Sequence, residues 1–225
     1  FAATTAGIKE NSSVKEIVDN YSNNDIDFHK TVADMADISR IQAKTINLGL
    51  FYGMGKAKLQ AELGLSTKQE AEELFNQYHD RVPFVRDLMN ETSRWASREG
   101  EIRTLLGRGC RFNKWEPAQF GMHTPMTWED AVKKYGENRI RRAFTYKALN
   151  KLIQGSAADM TKKSMLDLYK EGIIAHIQIH DELDLSVESK EQANKIIEIM
   201  ENAVKLAVPN KVDYESGKNW GDIYD

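Results

Sequence analysis

The chain has 225 residues and a single cysteine, Cys110. That excludes an internal disulfide and a cysteine-based zinc site, and it suits a reducing compartment. No stretch approaches the roughly 18 apolar residues of a membrane-spanning helix, and no signal-peptide pattern opens the sequence. There is no internal repeat and no low-complexity tract. No charge of one sign dominates, since the formal net charge is -3. At 41% hydrophobic and 29% charged, the composition fits one or two globular domains with a real core, soluble and intracellular.

The near-neutral average hides an uneven distribution. Residues 139–151 (RIRRAFTYKALNK) hold five basic residues and no acid, with Phe144 and Tyr146 between them. Such a segment can track a phosphate backbone, or be an ordinary solvated helix face. From Asp181 to the end, eleven acids face five lysines.

Residues 173–187 (IIAHIQIHDELDLSV) alternate apolar and polar on both sides of His180, Asp181 and Glu182. That is the pattern of two antiparallel strands joined by a tight connection. Strand alternation turns Asp181 and Glu182 to opposite faces, so the two carboxylates have different work. One carboxylate on a stiff turn is a good hard-oxygen ligand for Mg²⁺, which takes one or two carboxylates plus substrate phosphates. Asp and Glu are also common turn residues, and the spacing alone leaves both readings open.

Helices dominate the rest. Short helical patterns occupy residues 13–21, 27–35, 38–51, 56–63 and 66–76, and a long amphipathic one runs over 84–99 and stops at Gly100. Residues 101–112 read as a short hairpin turning at Gly107. An irregular insert covers 113–137. Helices are expected over 139–154, 157–170 and 190–208. The sum is an α+β arrangement.

Arg40, Lys44 and Leu48 recur at four-residue spacing and so share one helix face, with Tyr52 closing the stripe before Gly53-Met54-Gly55. Two cations one turn apart can hold an extended triphosphate, and the apolar and aromatic residues beyond could meet sugar and base. His29 could add a phosphate contact. A plain surface helix with two cations has the same spacing.

Taken together, these stretches resemble a known family. Arg40-xxx-Lys44-xx-Asn47-Leu48-Gly49-xx-Tyr52-Gly53 resembles motif B of the family A DNA polymerases, the pol I or Klenow type, and His180-Asp181-Glu182 resembles their motif C. Asn150-xxx-Gln154-Gly155-xx-Ala158-Asp159 matches a third segment in the right order, and Thr104-Leu105-x-Gly107-Arg108 is a weaker fourth. The resemblance covers residues 27–225. The short gap from His29 to Arg40 and the insert before Arg139 look phage-like. Glu182, where related RNA polymerases would carry serine, favours a DNA polymerase.

The resemblance implies mostly helical fingers over 27–100, then the remainder of the fingers, the insert and the C-terminal palm with its small antiparallel 173–187 hairpin over 101–225, with 1–26 as partial palm or connector. It implies template-directed nucleotidyl transfer with two Mg²⁺ ions, Asp181 being a metal ligand and Glu182 its support. His29, Arg40, Lys44, Leu48 and Tyr52 would hold the incoming deoxynucleoside triphosphate, and Lys44 would protonate the departing pyrophosphate. Asn150, Gln154, Arg108 and His180 would contact primer–template DNA. No membrane is implied, and the location would be cytoplasmic, in the host if the source is viral.

Two departures stand out. Position 48 is Leu where the family usually carries Phe or Tyr. The family's other metal-binding aspartate, in motif A, has no match before residue 27, and the chain begins at Phe1. The expectation is therefore the C-terminal part of a split or cleaved polymerase, inactive alone. A second polypeptide would supply motif A, the thumb and any exonuclease. The rival expectation is a non-catalytic module that grips nucleic acid without chemistry.

Overall fold

Ser39 opens the first long helix with a capping box: its hydroxyl accepts the Gln42 N–H at 3.2 Å while the Gln42 side chain accepts the Ser39 N–H at 2.9 Å. The computed structural model describes residues 19, 29–30, 33–34, 38–51, 54–81, 83–119 and 121–223. Most of the helices expected over 13–21 and 27–35, and Tyr52 with Gly53, lie outside them.

Among the described residues, the helices defined at both ends are α1 (Arg40–Phe51), α2 (Lys56–Leu63), α3 (Lys68–Arg81), α4 (Pro83–Glu99), α5 (Trp128–Tyr135), α6 (Ala148–Lys170) and α7 (Lys190–Asn202). Three two-stranded antiparallel sheets accompany them among the described residues: β1 (Glu101–Arg103) with β2 (Gly109–Arg111), β3 (Trp115–Pro117) with β4 (Ile140–Arg142), and β5 (Ile177–Ile179) with β6 (Glu182–Asp184). The fold is α+β, as expected.

Local chemistry sets the helix ends. Gly64 closes α2 in the left-handed region at φ 63°, its N–H bonded to the Ala61 carbonyl. Thr67 caps α3 by accepting the Glu70 N–H, and the Glu70 carboxylate takes the Ser66 N–H instead of completing a reciprocal box. Gly100, at φ 73°, ends α4 and bonds the Ala96 carbonyl.

The chain divides into two compact units, residues 1–156 and 157–225, and the division falls inside α6. The first unit has two cores. One gathers Ala43, Ile46, Met54, Leu59, Tyr78 and Val85. The other gathers Ala96, Ile102, Phe112, Ala148 and Leu152. In the second unit Leu168, Ala193, Ile196 and Val204 are buried.

Four expectations are corrected. The insert over 113–137 is not irregular, because it carries β3 and α5. Residues 140–142 are strand, not helix: Arg141 pairs with Glu116, its partner in register, and Arg142 stacks on Trp115 at 4.6 Å and donates to the Phe112 carbonyl at 3.0 Å. The left-handed Phe144 (φ 63°) then separates β4 from the helical turn before α6. Helix α6 is continuous through Gly155, where two helices were expected. Helix α7 stops at Asn202 rather than 208. The Asn202 and Asn210 amides take the Glu198 and Met200 carbonyls, and Pro209 follows.

Candidate functional site

The face of α1 that carries Arg40, Lys44 and Leu48 points away from the core. All three side chains are exposed, Leu48 at 43%, while Ala43, Ile46 and Asn47 on the opposite side are buried. The stripe read from four-residue spacing is therefore one open surface, two cations followed by an apolar contact. An open pocket of about 410 Å³ lies at its end, lined by Thr45, Leu48, Gly49, Met54, Gly55, Lys58 and Glu62. Met54 folds so closely over Gly49 that a Cβ there would stand 1.8 Å from its Cε. His29 joins this helix from the preceding segment, its Nδ1 lying 3.2 Å from the Asn47 amide nitrogen.

A second group forms where the β1–β2 turn meets α6, still within the first unit. The Arg108 guanidinium donates to the Gly155 carbonyl at 2.8 Å, and the Leu105 N–H donates to the Ser156 hydroxyl at 2.9 Å. The turn is self-braced: the Thr104 N–H donates to the Arg108 carbonyl, and the Arg108 N–H donates to the Thr104 hydroxyl. Asn150 and Gln154 sit one turn apart on α6, Gln154 exposed. The structure thus brings Arg108 to the same stretch of helix as Gln154. The basic segment over 139–151 does less than its composition suggested, since Arg141 and Arg142 are engaged across β3 and β4.

In the second unit, β5 and β6 present His180 and Asp181 as the two residues between strands paired at Ile179 and Glu182. The expected three-residue connection is one shorter, because Glu182 already belongs to β6. His180 holds φ 53°, a left-handed conformation that costs an L-residue about 1–2 kcal/mol and is usual for Gly. The Gln178 amide donates to the His180 carbonyl at 2.5 Å and braces the turn. Such strain clusters at functional positions.

His180, Asp181 and Glu182 are all exposed. Ile179, Leu183 and Leu185 are half-buried, while Ile174 and Ile177 are exposed at 65% and 47%, so the apolar positions of this hairpin are only partly covered.

The donor chemistry at the tip suits a hard divalent cation, for carboxylate oxygens with substrate phosphates are what Mg²⁺ prefers. Among the described residues no three His, Cys, Asp or Glu side chains gather to hold a metal. No helix among them is long and apolar enough to cross a membrane.

Several residues that hold these groups were given no role by the sequence reading, although Asn47 and Thr104 stand within the quoted motifs. Asn47 (1% exposed) and Tyr78 (0%) are hydrogen-bonded to each other at 2.7 Å inside the first core. Thr104 and Ser156 seat the β1–β2 turn. Asn47 had a visible signal, a polar residue at an apolar position of α1, and Thr104 opened a quoted segment; Tyr78 and Ser156 had none.

The profile of DNA polymerase family A matches residues 10–222. A DNA-directed DNA polymerase of Pseudomonas phage M6 is 33% identical over 93% of this chain and 33% of its own length. DNA polymerase I of Geobacillus stearothermophilus is 34% identical over 87% of this chain and 21% of its own length. Among solved structures, the POL domain of Pol1 from M. smegmatis, in complex with DNA primer-template and dNTP, matches with TM-score 0.73 at 25% identity. That match covers 100% of this chain and 38% of the other. The chain spans a third or less of the length of the two polymerase relatives.

Proposed function

From a chain that belongs to DNA polymerase family A, we propose that these residues form the nucleotide-binding and catalytic-tip portion of a DNA-directed DNA polymerase. The observation that carries the proposal is the exposed Asp181 at the tip of a strained, braced hairpin. The open Arg40–Lys44–Leu48 face and the primer–template complex of the M. smegmatis relative support it.

In this reading Arg40 and Lys44 hold the triphosphate of the incoming deoxynucleotide along one helix face, with His29 beside them. Lys44 carries a proton that the departing pyrophosphate can take. Leu48 offers an apolar contact to the sugar, and the resemblance gives Tyr52, outside the described residues, a role at the template base. Asn150 and Gln154 contact the primer–template minor groove, whose shared acceptor pattern lets an amide sense pair shape without reading sequence, and Arg108 contacts the DNA beside them. His180 lies near the primer terminus.

Asp181 is the residue that would hold Mg²⁺, with Glu182 in support. The bound ions would neutralise charge that develops on the transferring phosphoryl group. The family's other metal-binding aspartate would come from a strand of polypeptide outside these residues. The exposed Ile174 and Ile177 on a two-stranded sheet, which is marginal by itself, are the surface such a strand would cover.

The test is primer extension with Mg²⁺ and four deoxynucleotides, using this chain alone and mixed with the upstream polypeptide of a family A polymerase. Synthesis only in the mixture supports the proposal. Synthesis by the chain alone refutes the need for a second polypeptide. No synthesis in either, with tight DNA binding, points to a non-catalytic gripping module.

A further inference from the structure

Three side chains from three segments form a line of hydrogen bonds through the first core. The Tyr78 hydroxyl of α3 donates to Asn47 Oδ1 of α1 at 2.7 Å, and Asn47 Nδ2 lies 3.2 Å from His29 Nδ1. Asn47 and Tyr78 are buried at 1% and 0% exposure; His29 is half-buried. None of the family-like roles above uses Asn47 or Tyr78.

The direction of these bonds decides the state of the imidazole. Two arrangements can be drawn. In one, Tyr78 donates to the Asn47 carbonyl oxygen and the Asn47 amide donates to His29 Nδ1. In the other, the amide is turned over, the amide nitrogen donates to the phenol oxygen, and His29 must donate from Nδ1. The second leaves the phenol hydrogen without an acceptor, because Tyr78 makes no other hydrogen bond among the described residues. A buried donor without an acceptor is heavily penalised. Burial also raises the Tyr78 phenol well above its ordinary value, which keeps the hydroxyl protonated and a donor. The first arrangement wins. An imidazole that accepts at Nδ1 carries its proton at Nε2 when neutral.

We propose that Tyr78 and Asn47 are positioning residues that fix the Nε2–H tautomer of His29, so that the ring offers a donor to the triphosphate of the incoming nucleotide. The clause about the triphosphate rests on the nucleotide-binding reading of His29. The opposite tautomer would turn a lone pair toward an anion and repel it. The phenol is thus the far end of a relay that makes a neutral ring a phosphate donor.

The test uses the full chain labelled with ¹⁵N-histidine, at a pH about two units above the ordinary imidazole value near 6.5. Long-range ¹H–¹⁵N correlation reports which ring nitrogen bears the proton, and the signal lost in His29→Gln identifies residue 29. The expectation is Nε2–H in the unaltered chain. Asn47→Asp, which can only accept, should move the proton to Nδ1. Tyr78→Phe keeps the ring that fills the core and frees the amide to turn, so it should give a mixture. Binding of a deoxynucleoside triphosphate should weaken about tenfold in Asn47→Asp, the loss expected of one hydrogen bond to a charged group. In a His29→Gln background the same Asn47→Asp change should have little further effect.

An Nδ1–H signal in the unaltered chain, or one that neither variant moves, overturns the relay whatever nucleotide binding does. Tautomers that respond as expected while His29→Gln leaves affinity unchanged overturn the assignment of His29 to the triphosphate. The two failures are distinguishable.

Discussion

Gly155→Ala should destabilise the first unit even though it places a better helix former in the interior of α6. Alanine at an ordinary helical position is favoured over glycine by about 1 kcal/mol. Here a Cβ would stand 2.7 Å from Thr104 Cγ2, about 0.7 Å inside ordinary contact. Thr104 is 3% exposed and its hydroxyl accepts the Arg108 N–H, so rotating it away gives up that bond. Overpacking of this kind costs about 1–3 kcal/mol and the lost hydrogen bond about 1 kcal/mol. Net destabilisation of about 1–3 kcal/mol follows, read from the urea midpoint. Thr104→Ser removes the offending methyl and keeps the hydroxyl. The pair Gly155→Ala with Thr104→Ser should therefore recover most of the loss, a coupling that a double-mutant cycle measures. A single Gly155→Ala variant more stable than the parent by about 1 kcal/mol would refute the reasoning, because propensity alone would then govern the site.

Three further outcomes are expected. Leu48→Tyr places a hydroxyl at the sugar and should raise the ratio of dideoxy- to deoxynucleotide incorporation several-fold, the worth of one hydrogen bond at about 1 kcal/mol; an unchanged ratio in primer extension sinks that role for position 48. Burial lowers the His79 imidazole below its ordinary value, Arg86 lowers it further and Asp80 opposes, while its Nδ1 has no hydrogen-bond partner. The unfolded chain then binds a proton that the folded chain refuses, so stability is full above about pH 6.5 and falls as pH drops below it. His79→Leu should flatten that slope in urea titrations from roughly pH 8 to pH 5; equal slopes contradict it. At the hairpin tip, His180→Gly should change thermal stability by less than about 1 kcal/mol, whereas His180→Val should lower it by about 1–2 kcal/mol, since a β-branched residue tolerates φ 53° poorly. Equal tolerance of both would remove the positive-φ account.

Legibility in the sequence followed the range of the interaction. The Arg40–Lys44–Leu48 face and the turn at Gly107 depend on spacing of a few residues, and both were readable. The tip at His180 and Asp181 was placed within one residue, because alternation marks strands better than it marks their ends. The β3–β4 pairing was not readable, for Glu116 and Arg141 are joined by 24 intervening residues and neither segment is long enough to show a period. Continuity of α6 was hidden for a similar reason: Gly155 looks like a break until Thr104 is seen beside it. The His29–Asn47–Tyr78 line joins residues 18 and 31 positions apart, beyond any local pattern.

The central claim is that Asp181 does chemistry rather than help grip DNA. Primer extension by the chain reconstituted with the upstream polypeptide, comparing the parent with Asp181→Ala, tests it most directly when paired with primer–template affinity. The account predicts that synthesis is lost while affinity stays nearly the same. Synthesis that survives Asp181→Ala would contradict it.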